Sequence, residues 1–108
     1  MWKVEFYVAD DGSSPVQDWL AGLRDFQGRN RIRRRLGLLR LGSLGDYRSV
    51  GHGLCELRVD SGPGYRVYFA RRGAAFIVLL CGGDKGSQRR DIVRAYWFWE
   101  EFRRRDER

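Results

Sequence analysis

Apolar and polar residues alternate from Trp2 to Val8. Trp2, Val4, Phe6 and Val8 fall on one side, and Lys3, Glu5 and Tyr7 on the other, the period-two signature of a half-buried strand. Ser14 then stands where it can cap a helix whose first position is Pro15. Val16, Trp19, Leu20, Leu23 and Phe26 recur at helical spacing as far as Gly28, which is read as the stop. A second helix is expected from Arg29 to Leu41, with Ile32, Leu36 and Leu39 on its apolar stripe and Gly42 as its terminator. Gly42 to Gly53 contains four glycines and reads as a mobile loop with little core of its own.

Two turn signals follow, Ser61-Gly-Pro-Gly64 and Arg71-Arg-Gly-Ala74, each between runs rich in Val, Tyr, Phe and Ile. They divide the region into three antiparallel strands, 54–60, 64–71 and 75–82. Residues 76–81 are apolar without interruption, the pattern of a strand covered on both faces and so central in its sheet. Ser87 opens a last helix with Ile92, Ala95, Tyr96, Trp99 and Phe102 on its apolar stripe. Its terminal run Arg103-Arg-Arg-Asp-Glu-Arg108 is expected to fray. The order is thus β-α-α-β-β-β-α. It implies an α+β domain spanning residues 1–108, with an antiparallel sheet and helices packed on one side of it.

Composition narrows the function classes. The chain has 108 residues and a formal charge of +7, carried by nineteen Arg and only two Lys. Guanidinium forks pair bidentately with phosphate or carboxylate, so a partner rich in one of these is expected, nucleic acid first. No apolar run approaches the roughly 20 residues of a membrane span, and the N-terminus lacks the pattern of a signal peptide, so a cytoplasmic protein without a membrane partner is expected. Cys55 and Cys81 fit that compartment as buried thiols. Without a His or second Cys at ligand spacing they make no case for a metal, and no cofactor is expected.

Strand alternation then places the charges. Cys55, Leu57 and Val59 share one face of the first meander strand, which leaves Glu56 and Arg58 on the other. A cross-strand neighbour can bring Arg66 or Tyr68 beside them. With Lys85 near the end of the third strand, three cations are expected to converge on one phosphate. Glu56 there is either a general base or an ion-pair partner of Arg58 or Arg66. His52, between glycines, and Asp91, in the first turn of the last helix, are the other titratable candidates. Tyr68, on the face of Arg66, is a candidate for stacking on a nucleobase. Arg33 and Arg34 on the second helix, and Arg48 in the glycine-rich loop, are candidates for RNA contact. Trp97 and Phe98 lie off the last helix's main stripe and could form a patch for a protein partner.

Gly53-Leu54, Glu56-Leu57-Arg58, Gly62-Pro-Gly-Tyr-Arg-Val-Tyr-Phe69, Leu80-Cys-Gly-Gly-Asp-Lys85, Gln88 and Asp91-Ile92 together resemble the RelE/ParE superfamily, and more narrowly its HigB-like addiction module killer branch. The resemblance covers nearly the whole chain. It implies the toxin of a type II toxin-antitoxin pair, a ribosome-dependent endoribonuclease that cuts mRNA through the RNA 2′-hydroxyl without a metal. A cognate antitoxin, of helix-turn-helix type and encoded in the same operon, would hold it inactive, and operator DNA would be met only through that complex. The resemblance carries phosphate stabilisation to Arg66 and the basic residue after the Gly-Gly turn to Lys85. Relatives have lysines on the strand before the turn and a Tyr or His opening the last helix. This chain has Leu54 and Glu56, and Asp91-Ile92, so its base and acid stay open. Two other outcomes follow from the same resemblance: a ParE-like inhibitor of DNA gyrase that cuts no RNA, or an inactive member that keeps only antitoxin binding.

Overall fold

The N-terminal alternation forms β1 (Lys3–Phe6), and Pro15 opens α1 (Pro15–Gly22) with Ser14 at the cap position. The computed structural model describes residues 2–106. Leu23 adopts an extended conformation (φ −71°, ψ 126°), which stops α1 earlier than the periodicity implied. Asp25 then caps α2 (Phe26–Arg40), its carboxylate accepting from the Gly28 N–H at 3.0 Å. Gly28, expected to end a helix, instead sits buried in the first turn of one. A Cβ there would collide with the Asp25 carboxylate and the Tyr65 ring, each 2.5 Å away.

The expected loop after α2 contains a strand, β2 (Tyr47–Gly51). The tight Gly51-His52-Gly53 turn, with His52 itself at φ 55°, joins it to β3 (Leu54–Val59). The meander continues as β4 (Tyr65–Arg72) and β5 (Phe76–Asp84). A short 3-10 turn, Lys85–Ser87, leads into α3 (Gln88–Asp106). The Gly82-Gly83 pair is therefore strand, where a turn was expected. Arg103, Arg104 and Arg105 are helical and ion-paired to Glu100, Glu101 and Asp10, against the expected fraying. The last two residues of that run lie outside the described residues.

The sheet order is β1-β5-β4-β3-β2. All pairings are antiparallel except β1 with β5, which is parallel from Lys3↔Phe76 to Phe6↔Leu79, so the sheet is mixed rather than purely antiparallel. Helices cover both faces, not one. Val16 and Leu20 of α1, with Ile32, Leu36 and Leu39 of α2, pack on Leu57, Val67 and Phe69. Ala95 and Trp99 of α3 pack on Leu54, Tyr68, Val78 and Leu80 on the other side. This is why residues 77–81 are apolar without a break: every side chain of that stretch meets a helix or a neighbour in the core.

A bulge between β4 and β5 pairs Tyr68 with Cys81 and Phe69 with Leu79, so Leu80 is extra and turns to the α3 side together with Cys81. Beyond it the alternation resumes. Gly82 lies beneath the Trp19 ring of α1, and Gly83 beneath the Asp91 carboxylate of α3. Two consecutive glycines thus let opposite helices approach the same strand. Tyr65 ties the α2 layer to β4 by donating to Asp25 Oδ2 at 2.8 Å.

Gly82→Ala is expected to lower stability by about 1–3 kcal/mol, because the added methyl must displace the Trp19 ring; urea unfolding measures it. Burial, and then the bond to Asp25, push Tyr65 up from 10.0 to about 12. Folding therefore favours its neutral form, and the stability this supplies is complete below pH 10 and lost as pH rises towards about 12. Urea midpoints across that interval should fall less steeply in Tyr65→Phe than in the parent.

Candidate functional site

On the α3 side of the sheet, α3 covers β5, β4 and the Leu54 end of β3, and the charged residues collect beyond it, towards the Arg58 end of that strand. Arg58 of β3 pairs directly across from Arg66 of β4. Gly64 closes the distance to the next segment: its carbonyl accepts from the Lys85 N–H at 2.8 Å, drawing the end of β5 against the β3–β4 turn. Gly64 has φ 83°, and a Cβ there would stand 3.5 Å from the Arg66 guanidinium and 3.6 Å from the Lys85 Cβ. Arg58, Arg66 and Lys85 consequently line a single cleft of about 450 Å³, with Asp46, Asp60, Gly62, Pro63 and Gly64 as its other walls.

Glu56 lies beneath this cleft and is fully buried. Its Oε1 is 3.3 Å from Arg48 Nε, 3.5 Å from Arg66 Nε and 3.7 Å from Arg58 Nε. Of these, Arg48 makes a hydrogen bond, while the Arg66 Nε contact is ionic without hydrogen-bond geometry. The second oxygen, Oε2, accepts from Gln88 Nε2 of α3 at 2.5 Å. One carboxylate thus joins β2, β3, β4 and the first turn of α3. Arg66 is 7% exposed, and its Nη1 donates to the Tyr65 carbonyl at 3.0 Å, so its position is fixed from two sides before any ligand arrives. The expectation of Glu56 as a general base meets a physical obstacle. An acceptor at zero exposure, already committed to four partners, has no path to a substrate proton.

Tyr68 also departs from its expected role. It shares the face of Arg66, but α3 covers that end of the sheet, and the side chain is fully buried with no partner for its hydroxyl. Burial first, then the charges of Glu56 and Asp91, push the phenol upward. Its ring is core, closed to a base. Arg48 stands on β2 opposite Glu56 and serves first as an ion-pair partner. Arg33 and Arg34 are exposed on α2, in the layer behind the sheet from the cleft.

The remaining titratable candidates are elsewhere. His52 occupies the β2–β3 turn, at the end of β3 away from Arg58, edge-on to Tyr96 at 5.2 Å. Asp91 is buried against Gly83 and accepts from Ser87 Oγ and from Arg94 at 3.3 Å. Asp84 caps the 3-10 turn, accepting from the Gly86 N–H at 2.8 Å. Phe98 stacks on Tyr7 at 4.9 Å, while Trp97 is 61% exposed. Cys55 and Cys81 are both free; Cys55 packs with the α1 and α2 core and Cys81 with the α3 core.

Three contributors escaped the sequence reading. Asp46 and Asp60 line the cleft, and among the described residues neither carboxylate has a hydrogen bond or ion pair. Alternation offered a signal for Asp60, two residues beyond Arg58 on the same face. Arg35 of α2 donates to the Arg58 carbonyl at 2.6 Å, and to the carbonyls of Leu44 at 3.3 Å and Asp46 at 3.2 Å, which holds two cleft walls from behind. Nothing in the sequence distinguished it from the other arginines of its helix. Chemically, the assembled cations offer fixed positive charge to a phosphate oxyanion, which is worth far more when preorganised than when recruited from solvent.

Glu56→Ala should cost about 3–5 kcal/mol, since it leaves the nearly buried Arg66 without its counter-charge. Chemical denaturation tests this, and a loss under 1 kcal/mol would contradict the anchoring role.

An uncharacterized protein of Haemophilus influenzae is 43% identical to this chain over 77 residues, which is 71% of this chain and 78% of that protein. No protein-family model matches the chain.

Proposed function

We propose that this chain, which belongs to the same family as the uncharacterized Haemophilus influenzae protein, is the toxin of a type II toxin-antitoxin pair and cuts mRNA on the ribosome. In this reading the domain is RelE-like, and its partners are the ribosome with its mRNA and a cognate antitoxin encoded beside it. The observation that carries the reading is the convergence of Arg58, Arg66 and Lys85 from three segments on one open cleft above a buried carboxylate.

The chemistry follows from charge. Attack of the 2′-oxygen on the adjacent phosphorus builds negative charge on the non-bridging oxygens, and cations already in place stabilise it without a metal. The 2′-hydroxyl proton goes to a cleft carboxylate, Asp46 or Asp60, since Glu56 is enclosed. The Lys85 ammonium can return a proton to the departing 5′-oxygen. The products are a 2′,3′-cyclic phosphate and a free 5′-hydroxyl.

One observation favours a second reading, a ParE-like inhibitor of DNA gyrase that cuts no RNA. Glu56 and Tyr68, the residues of the cation face best suited by type to proton transfer, are both sealed in the core.

Induced expression with transcript-end mapping separates the two. Codon-phased cuts are expected, and Arg66→Ala and Lys85→Ala should each reduce cleavage by about a hundredfold to a thousandfold. A DNA-damage response with intact transcripts would favour the gyrase reading. Undiminished toxicity in both variants at equal expression would remove the cleft from the mechanism.

A further inference from the structure

Lys85 lines two hollows at once. Besides the cation cleft it borders a groove of about 370 Å³ over the first turn of α3, which Arg89 and Arg90 also line. The groove's other polar side chains are committed elsewhere: Gln88 to Glu56, and Ser87 to Asp84 and Asp91. Lys85, Arg89 and Arg90 are not. Among the described residues these three have no hydrogen bond or ion pair from their side chains.

The rest of α3 is different. Arg94 is paired with Asp91, and Arg103, Arg104 and Arg105 with Glu100, Glu101 and Asp10. Positive charge is thus cancelled along the far part of the helix and left uncancelled in the turn that adjoins the cleft. The groove also has no apolar side chain in its lining, and protein partners bind tightly through buried apolar or aromatic anchors. The hollow between α1, α2 and β1 offers such anchors in Phe6, Leu20 and Leu36, beside Arg33 and Arg40. A phosphodiester backbone needs cations and no apolar anchor.

We infer that a single strand of RNA bound at the cleft continues over the first turn of α3, between Lys85 and the Arg89–Arg90 pair, and does not run along α2. The inference rests on the RNA reading above, because the cleft supplies the first phosphate of the path. Arg89 and Arg90 would hold the strand by backbone charge without reading its sequence, so they would set affinity and register while leaving the chemistry to the cleft.

The test is the salt dependence of binding to a labelled single-stranded oligoribonucleotide made uncleavable by 2′-O-methylation, followed by fluorescence anisotropy. Arg89→Ala with Arg90→Ala should reduce the slope of log affinity against log salt by about 1.4, two phosphate contacts on a single strand. Arg33→Ala with Arg34→Ala should leave the slope at its parental value. Circular dichroism confirms that both double variants fold. If the parent binds and the Arg89, Arg90 variant keeps the parental slope, or if the Arg33, Arg34 variant loses it instead, the path is wrong while the cleft reading stands. If the parent itself shows no salt-dependent binding, the path falls, and the RNA reading is decided separately by the transcript-end mapping above.

Discussion

A carboxylate at zero exposure governs this fold's charged end. Taking Glu56 out of water is unfavourable by several kcal/mol unless its lone pairs are met, and the chain meets them with three arginines and Gln88. Those partners come from β2, β3, β4 and α3, so the ion cluster works as a register device as much as an adhesive. A one-residue slip of β3 would carry Glu56 to the α1 and α2 face, against Val67 and Phe69, and Leu57 to the charged face in its place. The same requirement orients Arg66. Fixed by Glu56 behind and the Tyr65 carbonyl beside it, its guanidinium reaches the cleft at 7% exposure.

Around that anchor, backbone approach decides where side chains can stand. Gly64, at φ 83°, turns the chain so that its carbonyl holds the Lys85 N–H, while Gly82 and Gly83 admit helices from opposite faces onto β5. The bulge at Tyr68 and Phe69 lets Leu80 and Cys81 both face α3, and the glycines follow in the correct phase. Local irregularities thus place the last helix, and the last helix delivers Gln88 to Glu56.

Much of this was legible in the chain because it is written in periodicity. The period-two alternation of β3 put Glu56 and Arg58 on one face, and the turn signals located β4 and β5 within two residues of their observed ends. The alternation also implied the gathering of Arg58, Arg66 and Lys85. What escaped was set by tertiary contact. The strand β2 is short, glycine-flanked and mostly exposed, and it is held by its pairing with β3 rather than by a pattern of its own. The helix break at Leu23 and the start at Phe26 depend on Asp25, whose carboxylate answers to both Gly28 and Tyr65. That Tyr68 is core follows from α3 crossing β4, which no local spacing announces. The helices' division between two faces was already implicit in the unbroken apolar run of β5, and the one-sided reading missed it.

The parallel pairing of β1 with β5 has a consequence for how the molecule is made. Each link of the β2-to-β5 meander joins neighbours in sequence and can zip from its own turn, whereas Lys3 meets Phe76 only after most of the chain exists. Of these two strands β1 leaves the ribosome first and must therefore wait, with its pairing edge open, for β5. Until Gln88 has also emerged, Glu56 lacks its fourth partner, so the cation cleft is completed only once α3 has begun to follow the strands.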